Sequence, residues 1–333
     1  FGAEQVISST QDGAESVHAA DLDGDGDLDV LAASCLDSTI AWFANDGVGS
    51  FGSAQVISSE QDGVLSVRVS DLDGDGDLDV LASSSLGNTV VWFSNEGGGT
   101  FGAEQVISST LMFPTSVFAA DLDGDGDKDV VATSRASDKV VWWKNDGSGS
   151  FGVERVISTM LDGPRSVWAA DLDSDGDADV VTASELDNTV AWFANDGSGG
   201  FGFVQVISRA QASAWHVLSA DMDGDGNLDV LAASSGDHQV SLWANEFCGP
   251  ACDDGIRNGD EDDAECGGSC TACLMRYSIV QDGAYCKENW AIDGGGHRRR
   301  NFANMVQCQD HCSVYAYCKG VSFGTAHPYT QQC

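Results

Sequence analysis

The chain has 333 residues, a net charge of −38 and only 15 basic side chains, so the polyanionic backbone of a nucleic acid is a poor partner for it. No apolar run approaches the length of a membrane span. Ten of the eleven cysteines follow residue 247, so an acidic, cysteine-poor part precedes a tail expected to be stapled in an oxidising compartment.

From the first residue the sequence repeats every 50 positions, without insertion or deletion, five times. Units open on Phe1-Gly, Phe51-Gly, Phe101-Gly, Phe151-Gly and Phe201-Gly. An alternating strand follows, as in Gln5–Ser8, and then a variable stretch. Ser16–Ala20 reads as a second strand, rich in small residues as a crowded axis requires, and Val30–Ser34 as a third. A further variable turn leads into Thr39-Ile-Ala-Trp-Phe-Ala44 and the near-constant turn Asn45–Ser50. Four strands per 50-residue unit is the pattern of propeller blades.

Between the second and third strands lies the most constant stretch. It holds Asp21, Asp23, Asp25, Asp27 and Asp29, and returns as Asp71, Asp73, Asp75, Asp77 and Asp79, then as Asp121, Asp123, Asp125, Asp127 and Asp129. The fourth copy has Asp171, Asp173, Asp175, Asp177 and Asp179, and the fifth Asp221, Asp223, Asp225, Asn227 and Asp229. Carboxylates at alternate positions repel one another, and a hard cation resolves the repulsion; Ca2+ takes six to eight such oxygens. The first, second, third and fifth acids are expected to ligate through side chains and the fourth through its carbonyl, which Asn227 tolerates. Five ions, one per unit, are expected. An EF-hand needs Glu at position 12 and flanking helices; this loop has Ala32, Ala82, Ala132, Thr182 or Ala232 there, between strands.

These Phe-Gly openings, Asp-x-Asp-Gly-Asp-Gly-Asp-x-Asp loops and Trp-Phe strands resemble FG-GAP/VCBS repeats, which build the propellers of integrin alpha chains and some fungal lectins. The resemblance covers residues 1–247 and implies an all-β, calcium-binding β-propeller; the family commonly closes with seven blades, and the five units here lead to the expectation of a closed five-bladed ring. Closure is expected through the first strand, Gly2–Ser8, pairing with the last, Ser241–Asn245, which removes two sheet edges. Trp42/Phe43, Trp92/Phe93, Trp142/Trp143 and Trp192/Phe193 are expected to pack between blades rather than to serve as sugar-stacking platforms.

On the face opposite the metal loops the turns vary. Leu111, Met112, Phe113, Met160, Leu161 and Trp215 are apolar there and predict a protein interface. Cys35 stands alone on this face, a candidate for ring closure through Cys248 or for an interchain disulfide.

Residues 248–275 form a cysteine-rich linker module with Cys248, Cys252, Cys266, Cys270 and Cys273. Its Asp-Gly-x-x-Asn-Gly-x-Glu and Cys-Gly-Gly-x-Cys-x-x-Cys pattern resembles a short motif of extracellular multidomain proteins; disulfides suit it better than zinc. Residues 276–333 carry Cys286, Cys308, Cys312, Cys318 and Cys333. Cys308-Gln-Asp-His-Cys312, Cys318-Lys-Gly-Val-Ser-Phe323 and the final cysteine look like a PAN/apple domain, which implies binding to proteins or glycans.

Six scattered histidines and five equivalent acidic loops do not make the single asymmetric site of an enzyme. The chain therefore reads as a secreted or cell-surface calcium-binding structural or adhesive protein that binds copies of itself or matrix proteins, as in a filament or coat. The alternative is a secreted, carbohydrate-binding lectin.

Overall fold

The computed structural model describes residues 2–245 and, in backbone, two later strands. The chain divides into two compact units, Phe1–Asn258 and Gly259–Cys333.

In the first unit the alternating segments form antiparallel sheets in meander order. The first sheet holds β1 (Ala14–Ala20), β2 (Asp29–Ser34), β3 (Thr39–Phe43) and β4 (Gln55–Ser58). The second holds β5 (Val64–Ser70), β6 (Asp79–Ser84), β7 (Thr89–Phe93) and β8 (Gln105–Ser108). The third holds β9 (Pro114–Ala120), β10 (Asp129–Ser134), β11 (Lys139–Trp143) and β12 (Arg155–Ser158). The fourth holds β13 (Pro164–Ala170), β14 (Asp179–Ser184), β15 (Thr189–Phe193) and β16 (Gln205–Ser208), and the fifth only β17 (Ala214–Ala220), β18 (Asp229–Ser234) and β19 (Gln239–Trp243). Each outer strand comes from the Phe-Gly segment of the following unit, so blades and sequence units are offset by one strand. Among the described residues no helix is long and apolar enough to cross a membrane.

The first strands of successive sheets, β1, β5, β9, β13 and β17, pack side by side. They turn around a common axis: His18 on β1 and His216 on β17 both lie within electrostatic reach of Arg68 on β5. The core sits between blades. Leu22, Leu31, Ile40 and Trp42 of the first blade pack on Val64, Val67, Val80, Val91 and Phe93 of the second. Equivalent clusters join the second to the third, the third to the fourth and the fourth to the fifth. Trp42, Trp92, Trp142, Phe43, Phe93, Trp143 and Phe193 are all buried, as expected of packing residues, and Trp192 packs against the last cluster.

Closure by the first strand is not formed. Gly2–Ser8 adopts no strand, and β19 pairs with β18 alone. The fifth blade lacks the groups by which each earlier blade receives its successor. The Ser16, Ser66, Ser116 and Ser166 hydroxyls accept hydrogen bonds from Val67, Val117, Val167 and Val217 N–H across the blade junction, and His216 stands in the next such position. Likewise Leu242 replaces the tryptophan that seats the glycine of the next turn. Val17 and Val240, at the two ends of the arc, are 68% and 81% exposed, whereas Val67, Val117 and Val167 are fully buried.

In the second unit, β20 (Glu288–Ile292) and β21 (Arg298–Phe302) form a two-stranded antiparallel hairpin. The expected linker module, the PAN/apple-like domain and Cys248, Cys252, Cys266, Cys270, Cys273, Cys286, Cys308, Cys312, Cys318 and Cys333 otherwise lie outside the described residues.

Candidate metal centres

Each acidic loop joins the first two strands of its blade. Alternating Asp and Gly let the chain turn tightly on its own carboxylates. In the first loop Asp21 accepts the Gly24 and Gly26 N–H groups at 2.8 and 3.0 Å, and both glycines take positive φ, 77° and 95°. Asp25 accepts the Asp27 N–H at 2.9 Å. Asp29, at the start of β2, is fully buried and fastens the loop at both ends: its oxygens accept Leu22 N–H at 2.9 Å and Asn45 N–H at 2.8 Å.

This turn draws three carboxylates together. Asp21, Asp23 and Asp29 each bring an oxygen to within 4.8 Å of the other two, and so do Asp71/Asp73/Asp79, Asp121/Asp123/Asp129 and Asp171/Asp173/Asp179. In the fifth loop the trio is Asp221, Asp223 and Asp225, while Asp229 accepts Met222 and Asn245 N–H. Asp25, Asp75, Asp125 and Asp175 are not among these trios. The fourth acid points elsewhere: at Gly47, Gly97, Gly147 and Gly197 a side chain would collide with or crowd the carboxylates of Asp27, Asp77, Asp127 and Asp177. Where the repeat's closing turn ends, in the fifth unit, Phe247 replaces that glycine and Asn227 replaces the acid.

Burial and crowding act on these acids together. Burial, reinforced by neighbouring loop acids, pushes Asp79 and Asp179 up to about 7 and Asp129 to about 6. Asp173 is pushed to about 6 by burial and by Asp175. Asp123 Oδ1 and Asp173 Oδ1 are buried without a hydrogen-bond partner. Hard oxygens spaced for one centre, with buried orphan acceptors, fit a divalent cation bound by oxygen.

Two features of the loops escape a reading of the acids alone. Lys144, where the other units have Ala or Ser, places its ammonium 2.5 Å from Asp123 and 2.8 Å from Asp125. That contact holds Asp125 below the usual carboxylate range. A lone cation opposite an acidic loop is the signal that could have found it. The second feature is the asparagine that closes each unit. Asn95, Asn145, Asn195 and Asn245 reach back to the carbonyl oxygens of Leu22, Leu72, Leu122 and Leu172 in the preceding blade's loop. Its constancy reads in sequence as a turn signal.

The FG-GAP-like repeat profile matches residues 21–82, 71–132, 121–182 and 171–232. The chain belongs to the FG-GAP-like repeat family. No curated protein matches it in sequence. Similar solved structures include one from Agrocybe aegerita, a lectin described as recognising non-reducing terminal N-acetylglucosamine. It is 20% identical, with a TM-score of 0.49, over 71% of this chain and 67% of that one. The biofilm matrix protein Bap1 of V. cholerae is 18% identical, with a TM-score of 0.43, over 71% of this chain and 38% of that one. A streptogramin B lyase is 17% identical, with a TM-score of 0.47, over 72% of each chain. Likeness at this distance carries no functional argument.

On the opposite face the FG-GAP-like units differ from one another. Of the residues expected to form an interface there, Leu111 and Leu161 are instead buried in the cores between blades. They occupy the position of Gln61 and Gln211, also buried, so the site faces inward in every one of these units. Met112, Met160 and Trp215 are exposed by 59%, 76% and 41%, and Phe113 is half-buried. Arg165 stacks 3.2 Å over the Trp215 ring, and Arg135 pairs with Glu185 at 2.7 Å. Cys35 is a free thiol whose Sγ lies 3.8 Å from Glu15 Oε1; burial and that carboxylate push the thiol up, which makes it a poor nucleophile.

Proposed function

We propose that the loops bind calcium, about one ion per repeat, and that the ions make the blades a rigid scaffold for an extracellular structural or adhesive protein. The observation that carries the calcium reading is the buried carboxylate at the head of each second strand. It is tied to both ends of its loop and, in the first four loops, converges with two further acids. A bound cation offsets the repulsion that these carboxylates otherwise hold inside the fold. Asp21, Asp23 and Asp29 and their counterparts supply the side-chain oxygens, and Asp25 completes the set at the rim. Low-affinity sites of this kind suit millimolar extracellular calcium. The cysteine-rich tail supports the same setting.

Assembly rests on the variable face. Met112, Met160 and Trp215 present apolar surface on this face, and Trp215 stacks on Arg165 of the Arg135–Glu185–Arg165 cluster. Large apolar groups among fixed charges are the composition of a protein-binding patch. The tail supplies further contacts, as a PAN/apple-like module and disulfide frame would. The partners are other copies of the chain or matrix proteins, and no catalytic role is assigned.

Light scattering on the full chain in millimolar calcium tests the assembly. Oligomers or polymers that M112S/M160S disperses support it; a monomer at every concentration overturns it. A second reading is carbohydrate binding. A cleft of about 260 Å³ between the third and fourth loops is lined by Asp121, Lys128, Asp171 and Asn195, polar groups of the kind that hold sugar hydroxyls. Glycan binding abolished by K128A would favour it.

A further inference from the structure

Along the first strands the five units repeat closely until one position. Val17, Val67, Val117, Val167 and Val217 are identical, but the next residues are His18, Arg68, Phe118, Trp168 and Leu218. His18, Arg68, Phe118 and Trp168 share a face and a level, because they pair in the same register with Leu31, Leu81, Val131 and Val181 of their neighbouring strands. On strands packed side by side around one axis, this register brings them together. Phe118 and Trp168 touch, with ring centroids 4.6 Å apart. Arg68 acts electrostatically on both His18 and His216.

Arg68 is anomalous for this chain. Among 53 acids in the sequence, none pairs with it among the described residues. Its Nη1 donates to the Val67 carbonyl oxygen at 2.9 Å, while its Nε is buried with no partner. A guanidinium drawn out of water with an unpartnered N–H is costly unless something answers it. The free edge, Nε–H with the adjacent Nη2, is a fork that matches the two oxygens of a carboxylate.

We propose that the axis binds a small organic carboxylate, with Arg68 as the anchor and the stacked Phe118–Trp168 pair as the apolar wall. His18 and His216 lie within electrostatic reach of the anchor. The site is asymmetric because each blade contributes a different side chain at one level. It is independent of the acidic loops and of the variable face.

Isothermal titration of the full calcium-loaded chain with benzoate, acetate, benzamide and inorganic phosphate tests the proposal. Saturable benzoate binding is expected, with acetate weaker and benzamide at least about tenfold weaker for want of the charge. R68Q is expected to weaken benzoate at least about tenfold, and R68K to recover part of the loss. The comparison of benzoate with benzamide uses the unaltered protein and so does not depend on any variant folding. Absence of saturable benzoate binding, equal binding of benzamide, an R68Q protein that binds as before, or phosphate binding as tightly as benzoate would each overturn it.

Discussion

The Asn95 side-chain amide donates to the Leu22 carbonyl oxygen at 2.8 Å, across 73 residues of sequence and one blade junction. Leu22 lies inside the first acidic loop. Its N–H is held by Asp29, its side chain is buried in the core between blades, and its carbonyl receives the next blade. Whatever orders the loop therefore orders the junction. The same clasp joins the next three pairs of blades.

Removing one clasp should show its worth. N95A leaves the buried Leu22 carbonyl without its partner and is expected to cost about 1–3 kcal/mol. Asn45 makes the matching contact only within its own blade, to Leu28 at 3.0 Å, so N45A is expected to cost less. Urea unfolding of the two variants in calcium compares them directly; equal losses would mean that the junction bond contributes nothing.

The buried acids predict an unusual pH response. Without metal, Asp79 and Asp179 sit near 7, and Asp129 and Asp173 near 6, all above their unfolded value of about 3.9. The folded chain then holds more protons than the unfolded one between about pH 4 and 7, so the metal-free fold loses stability as pH rises through that window. Calcium requires the deprotonated acids, so its binding releases protons and weakens on acidification. Melting in chelator is thus expected at higher temperature at pH 5.5 than at pH 7.5, and in calcium the order should reverse. A flat response in chelator would show that these carboxyls stay ionised.

Lys144 should make the third loop the weakest calcium site, since its ammonium already neutralises Asp123 and Asp125. K144A is expected to raise calcium affinity at that site roughly tenfold and to leave the other four unchanged, resolved by titration calorimetry. No change in the binding isotherm would mean that the lysine swings clear without cost.

Turn glycines offer a matched pair. Gly149 and Gly49 both have positive φ, 74° and 86°, but an added Cβ at Gly149 meets Trp92 at 2.4 Å and at Gly49 meets nothing. The backbone penalty is shared, so G149A is expected to cost about 1–3 kcal/mol more than G49A from overpacking alone. Equal costs in thermal melts would place Trp92 away from the turn.

Much of this was legible in the sequence because it is local. Alternating residues marked the strands, Asp-Gly spacing marked the loops, and the Trp-Phe strands fell in the cores as their bulk requires. Asn227 stands at the position where the other loops place Asp27, Asp77, Asp127 and Asp177 against a glycine of the closing turn. What the sequence hid depends on the next blade. Leu111 and Leu161 looked like surface beside Met112 and Met160, yet only their neighbours across a junction decide which is buried. Closure by Gly2–Ser8 followed from counting strands, whereas the junction depends on the serine and tryptophan that His216 and Leu242 replace. Lys144 and Arg68 matter through residues on other segments, a loop for the first and other strands for the second, which a linear reading does not bring together.

Thermal melting of the full chain, by calorimetry in millimolar calcium and in chelator at pH 7.5, tests the central claim that calcium in the loops locks the blades together. One site held at about a hundred times its dissociation constant adds about 2.7 kcal/mol, so several sites should raise the melting temperature by at least about 5 °C, in a single cooperative transition. An unchanged melting temperature would contradict the account, because calcium would then add nothing to the junctions that the hydrogen bonds of the loops carry.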